Sequence, residues 1–403
     1  MKEYVCHLTK LPEGDRVFFT EMLSYLSEYV KEIKRNQDEV IISYEGTEES
    51  VIEEKVNELE KMILSKLSKK TTEVKIKTIF DNTAQQTSNQ EDIFQPMLEK
   101  GIVRQIDSGV FAYSGIFLKV FRYFCQKIES EIDKLFPELD KTNFEVPVLT
   151  PVADYEEGKY FETFPHHIMF KTTLKNDISV IDRFAKNGMK DASILEEAIP
   201  PQSVLRTAAC VPVYPMFRNQ EISDDKPACV MVSGKCFRNE GSNVSELARL
   251  NEFYMKEYVF IGTPEQSKAY IEKAYALWEF WIDCFKLNCK IETANDSFFA
   301  SNYKKLQLFQ MLGDSKREFK LLIPATGNYI SCSSANFHRT HFTKVYNIRT
   351  KGSEAYCHSS CFAFGIERLT YAFLSQNGLN PENWSETVKE ELQKYISLDG
   401  VTA

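Results

Sequence analysis

Apolar residues recur every three to four positions at Phe19, Met22, Leu23, Leu26, Val30 and Ile33, which predicts an amphipathic helix. The turn residues Pro12, Glu13, Gly14 and Asp15 mark its start. The same spacing returns at Ile52, Val56, Leu59, Ile63 and Leu67, after Gly46. Around these two helices the pattern shortens to the two-residue alternation of strands, over 3–11, 39–44 and 73–80. Residues 1–81 are therefore expected to form a small α/β module of βαβαβ order. Residues 81–90 are polar with a single charge, so a linker is expected over 82–95.

From Ile93 a helical pattern runs through Ile116 to Phe136 and gives way to an extended stretch at 144–151. Pro147 and Pro151 interrupt that stretch, which suits a sheet edge or an interface. A helical insertion over about 171–202 follows. Strands around 229–237 and 251–261, a long helix over 264–288 and further short strands complete a mixed α+β domain over 96–403. Its sheet is expected to be antiparallel and flanked by helices.

Composition narrows the function. The 403 residues are 43% hydrophobic and carry 49 Lys plus Arg against 58 Asp plus Glu, a net charge of −9. That sign argues against a protein built to grip a nucleic-acid backbone. The N-terminal stretch lacks a signal-peptide core, and no apolar run reaches the roughly 20 residues of a membrane span. A cytoplasmic chain with reduced thiols is expected, its ten cysteines being scattered without a C-x-x-C pair. Any metal site must then be assembled from distant segments.

Two segments carry candidate chemistry. Phe-Arg-Asn-Glu at 237–240 ends one expected strand, and Arg249 to Phe260 begins the next, with a Gly, Ser and Asn loop between them. An arginine at a strand end can hold a phosphate, and an aromatic on the returning strand can stack on a base. Later, an apolar strand from Cys361 turns through Gly365 into a helix with Arg368 in its first turn. Taken singly, each is explained as well by a surface ion pair.

In combination and order, these segments resemble motifs 2 and 3 of class II aminoacyl-tRNA synthetases, and 145–151 resembles their motif 1, which forms the dimer interface. Further stretches at 160–170, 207–215, 294–299, 335–342 and 358–368 resemble two branches: the methanogenic-type seryl-tRNA synthetases, and the amino acid:[carrier protein] ligases related to their catalytic domain. The likeness covers roughly 96–380 and leaves the first 80 residues unexplained.

The resemblance implies a catalytic zinc on Cys210, Glu257 and Cys361, at spacings of 47 and 104 residues. Three protein ligands leave a tetrahedral position open for a substrate α-amine. The alternative reading of these residues is two buried small thiols and a surface carboxylate. The resemblance also assigns ATP to Arg238 (α-phosphate), Glu240 (adenine), Phe253 (ring stacking) and Arg368 (γ-phosphate), with Arg249 a candidate for phosphate or hairpin contacts. It implies Mg²⁺ as well, yet the family's metal-binding glutamate is replaced near Asn328 or Ser331, which leaves Glu240 and Glu318 as substitutes.

Both branches activate an amino acid to an aminoacyl-adenylate and differ in the acceptor. Residues 1–80 hold 13 basic and 16 acidic residues, a poor tRNA grip, so an AMP-forming ligase serving the phosphopantetheine thiol of a carrier protein is expected. The alternatives are a tRNA-charging enzyme of the seryl type and a non-catalytic paralogue. A small amino acid (glycine, alanine or serine) and a homodimer are expected too.

Overall fold

The computed structural model describes residues 1–36, 38–64, 76–294 and 315–398. Leu67 and residues 295–299 of the 294–299 stretch lie outside these.

The N-terminal module contains strands β1 (Lys2–His7), β2 (Val30–Asn36) and β3 (Glu39–Tyr44) with helices α1 (Glu13–Leu23) and α2 (Glu49–Leu64). The sheet is ordered β1-β3-β2 and antiparallel throughout. The module is thus α/β, but its described elements run βαββα and not βαβαβ. Val30 and Ile33, expected to extend the first helix, lie on β2 instead. Its core runs from Cys6 to Ile63, with Phe19, Val40, Ile42 and Ile52 fully buried. Of the expected strand at 73–80, residues 73–75 lie outside the described residues, and Thr78–Asp81 (β4) pairs with the large sheet and not with the module.

That sheet has eight strands, adding β5 (Lys141–Phe144), β6 (Ala228–Phe237), β7 (Glu252–Gly262), β8 (Cys289–Thr293), β9 (Lys316–Ile323), β10 (Asn328–Arg339) and β11 (His358–Gly365). Their order is β4-β8-β9-β10-β11-β7-β6-β5. The pairing is antiparallel except at one edge, where β5 runs parallel to β6. The architecture is therefore mixed α+β.

Side chains alternate between the two faces. One face sends Phe260, Phe319, Phe362 and Phe364 into the main core, against α3 (Gly115–Leu135), α4 (Pro264–Ala274), α5 (Ala276–Phe285) and α6 (Ile366–Asn377). The helix expected over 264–288 is two helices that meet at Tyr275. The register places Phe253, Glu257, Asn336 and Cys361 on the opposite face. No described helix is long and apolar enough to cross a membrane.

The 144–151 stretch is not one strand. β5 ends at Phe144, and Leu149–Pro151 pairs with Ser203–Leu205 in a separate three-stranded sheet. Arg206 ties the break together: its buried guanidinium donates to the carbonyls of Val146 (3.2 Å), Ser233 (3.1 Å) and Lys235 (2.8 Å). The expected insertion contains the helix Ile178–Asn187 and short 3₁₀ turns that extend to Glu197.

Candidate functional site

Cys210 lies in the turn after Ser203–Leu205, Glu257 in mid-β7 and Cys361 in mid-β11, and the ligand atoms of all three lie within 4.8 Å of one another. Each is buried. The Glu257 carboxylate accepts hydrogen bonds from the backbone N–H groups of Ala209 (2.8 Å) and Cys210 (3.2 Å), which fixes the turn on the strand. Burial pushes the Glu257 carboxyl up to about 7. Of the two thiols, Cys361 is the one held well below its ordinary range, because the Cys210 thiol donates to it and His338 and Asn336 add favourable interactions. The Cys210 thiol rises correspondingly.

Neither Asn336 nor His338 is among the candidate site residues expected from the sequence. Asn336 Nδ2 lies 3.4 Å and His338 Nε2 3.7 Å from the Cys361 sulfur, and His338 Nδ1 lies 3.0 Å from the Tyr214 hydroxyl. Both fall in the 335–342 stretch, whose Asn and His side chains were the available signal. Two thiols and a carboxylate, buried and convergent, suit a tetrahedral metal with one position left open.

The Arg238 Nε donates to the Thr207 carbonyl at 3.0 Å, and its guanidinium lies 5.2 Å from the Phe253 ring centroid. Thr207 and Cys210 share one turn, so the arginine and the cysteine cluster adjoin. Arg368 donates to the Ser331 carbonyl at 3.1 Å. Neither arginine has an ion-pair partner among the described residues. Burial lowers the Arg368 pKa, and the positive charges of Arg249 and Arg238 add to that effect. Glu240 opposes that shift, and two arginines that repel each other with no ion-pair partner among the described residues make a site suited to a polyanion.

Arg249 differs from these two. Its Nη2 meets Glu21 of α1 at 2.9 Å, and its Nη1 meets Glu240 at 3.3 Å. Burial alone would lower its pKa, but the two carboxylates outweigh burial and raise it. Nothing in the sequence marked Glu21. The Glu240 backbone N–H donates to the Asn251 side chain at 2.9 Å, which closes the hairpin loop. The two substitute carboxylates also differ: Glu240 is buried beside the arginines, whereas Glu318 is held by Lys316 (3.2 Å) and Lys320 (3.8 Å). Asn328 is exposed at the start of β10.

The family described as "tRNA synthetase class II core domain (G, H, P, S and T)" matches residues 198–377. The chain is 28% identical over 259 residues to the type-2 serine–tRNA ligase of Methanocaldococcus jannaschii, covering 62% of this chain and 49% of that protein. It is 29% identical over 256 residues to amino acid–[acyl-carrier-protein] ligase 1 of Bradyrhizobium diazoefficiens, covering 61% of this chain and 74% of that one. The aligned part is thus about half of the serine–tRNA ligase and three quarters of the carrier-protein ligase. Among solved structures, M. kandleri SerRS in complex with A. aeolicus tRNASec superposes with a TM-score of 0.71 at 19% identity, over 99% of this chain and 78% of that one. The match over residues 198–377 spans β6, β7, β10 and β11 and takes in Cys210, Glu257, Cys361, Arg238 and Arg368, so this part of the chain is similar to the class II tRNA synthetase core domain.

Proposed function

We propose that the chain activates a small amino acid with ATP and transfers it to the phosphopantetheine thiol of a carrier protein. A carboxylate oxygen of the amino acid attacks the α-phosphorus of ATP, the bond to the bridging oxygen breaks, and pyrophosphate leaves. The thiol then attacks the carbonyl of the adenylate, AMP departs with the electron pair, and a thioester remains. Arg238 neutralises the α-phosphate, Arg368 the γ-phosphate, Phe253 stacks on the adenine and Glu240 receives its polar edge. The protein supplies position and charge and needs no nucleophile of its own. Class II synthetases use ATP with Mg²⁺.

Cys210, Glu257 and Cys361 would hold a zinc ion, which when bound would supply an open position for a neutral α-amine. The observation that carries the proposal is the buried Cys, Glu, Cys cluster adjoining Arg238, which like Arg368 has no ion-pair partner among the described residues. The acidic balance of the first 80 residues supports a carrier over a tRNA acceptor, as does the likeness to the Bradyrhizobium ligases. A second reading, ester formation on tRNA, rests on the type-2 serine–tRNA ligases among the relatives. Incubation with ATP and labelled amino acid separates the two. A hydroxylamine-sensitive thioester on a phosphopantetheinylated carrier protein is expected; label appearing only on tRNA would transfer the proposal to the second reading.

A further inference from the structure

The N-terminal module grips the tip of the β6–β7 hairpin. Beyond the Arg249 to Glu21 pair, Asn243 Nδ2 donates to the Glu21 carbonyl at 3.1 Å, and the Tyr25 hydroxyl donates to the Asn239 carbonyl at 2.9 Å. Gly241, at φ +56°, sits so close that a Cβ there would come within 3.0 Å of the Ser24 carbonyl. These contacts join segments more than 200 residues apart.

Glu240 belongs to the same hairpin as Arg249, so that ion pair moves with the tip. Glu21 belongs to a separately cored module, so its ion pair ties the guanidinium to a second body. Carboxylates on two different nitrogens of a planar fork fix its orientation. We propose that the module is a working part of the nucleotide site, with Glu21 a positioning residue that sets Arg249 for the phosphates of ATP. The inference rests on the ATP-dependent reading above. Anchoring of this kind lowers the ordering cost of binding in ground state and transition state alike.

The test is pyrophosphate exchange into ATP by full-length Glu21→Gln, Glu21→Asp and Tyr25→Phe variants, with Glu53→Gln on the exposed side of α2 as control. Glu21→Gln should raise the KM for ATP roughly tenfold with a smaller change in kcat, as loss of a charge-assisted hydrogen bond implies. Glu21→Asp should recover part of that loss, and Tyr25→Phe should raise KM by less. Amide exchange over 239–251 should quicken in Glu21→Gln while the melting temperature stays within a few degrees of the parent. An unchanged KM in Glu21→Gln would overturn the proposal, and so would a lowered one, which would mean that Glu21 competes with phosphate for Arg249. A parent chain that neither exchanges pyrophosphate nor binds Mg-ATP would remove the underlying reading, and the inference with it.

Discussion

Two buried carboxylates, both pushed up to about 7 by burial, differ at the residue scale in their partners. Glu257 is matched by two backbone N–H groups and adjacent thiols, whereas Glu367 offers one oxygen to the Tyr254 N–H at 2.8 Å and leaves the other without a hydrogen bond, 3.6 Å from Lys235. Burial pushes the Glu367 carboxyl from an ordinary 4.5 up to about 7. Between those values the folded chain binds a proton that the unfolded chain does not, so stability falls as pH rises from 4.5 to 7 and is flat above. Glu367→Gln should therefore gain stability over the parent across that window, reaching about 3 kcal/mol at pH 8 and vanishing near pH 4.5 in denaturant titrations; a difference that does not change with pH would contradict this. The metal assignment is tested at the same scale. Purified protein should hold about one zinc per chain by elemental analysis, and Cys210→Ser or Cys361→Ser should lose most of it. Zinc content untouched by both changes would refute the assignment of these ligands.

At the scale of elements, the β6–β7 hairpin and the β11 to α6 turn were legible, because clean alternation ends at a Gly, Ser and Asn loop or at Gly365. β2 was not. A register shift between Val30 and Glu32 breaks its two-residue period, so Val30 and Ile33 fall three apart and continue the helical spacing of α1. β4 was misplaced because its partner, Cys289–Thr293, lies some 200 residues away, and local pattern carries no pairing information. The break after Phe144 depends on Arg206, whose carbonyl partners lie 27 to 60 residues away, also beyond the reach of local pattern. Gly234 makes room for that arginine: at φ +128° it has a conformation that L side chains rarely adopt, and a Cβ would come within 2.2 Å of Arg206 Nη2. Gly234→Ala should cost about 2 kcal/mol or more, read as a lower melting temperature by calorimetry, with faster amide exchange over 143–151. A neutral substitution would show that Arg206 is free to move.

Over the whole molecule, the cysteine cluster and the arginines come from segments between 198 and 377, the span of the matched family, yet Arg249 is completed by Glu21 near the other end of the chain. Sequence alone separated these parts, because the resemblance ended near residue 96 and a lone glutamate on a helix carries no signal. The candidate residues Cys210, Glu257 and Cys361 were legible only through the flanking motifs, since spacings of 47 and 104 residues have no local pattern. The proposed first step is formation of an aminoacyl-adenylate at this site. Amino-acid-dependent exchange of labelled pyrophosphate into ATP measures that step without regard to the acceptor. The parent chain should exchange with at least one small amino acid, and Arg238→Ala should lower the rate by two to three orders of magnitude, as loss of one charge-stabilising donor worth roughly 3–4 kcal/mol requires. A parent chain inactive with every small amino acid, or an Arg238→Ala variant that exchanges as fast as the parent, would overturn the proposed adenylate chemistry.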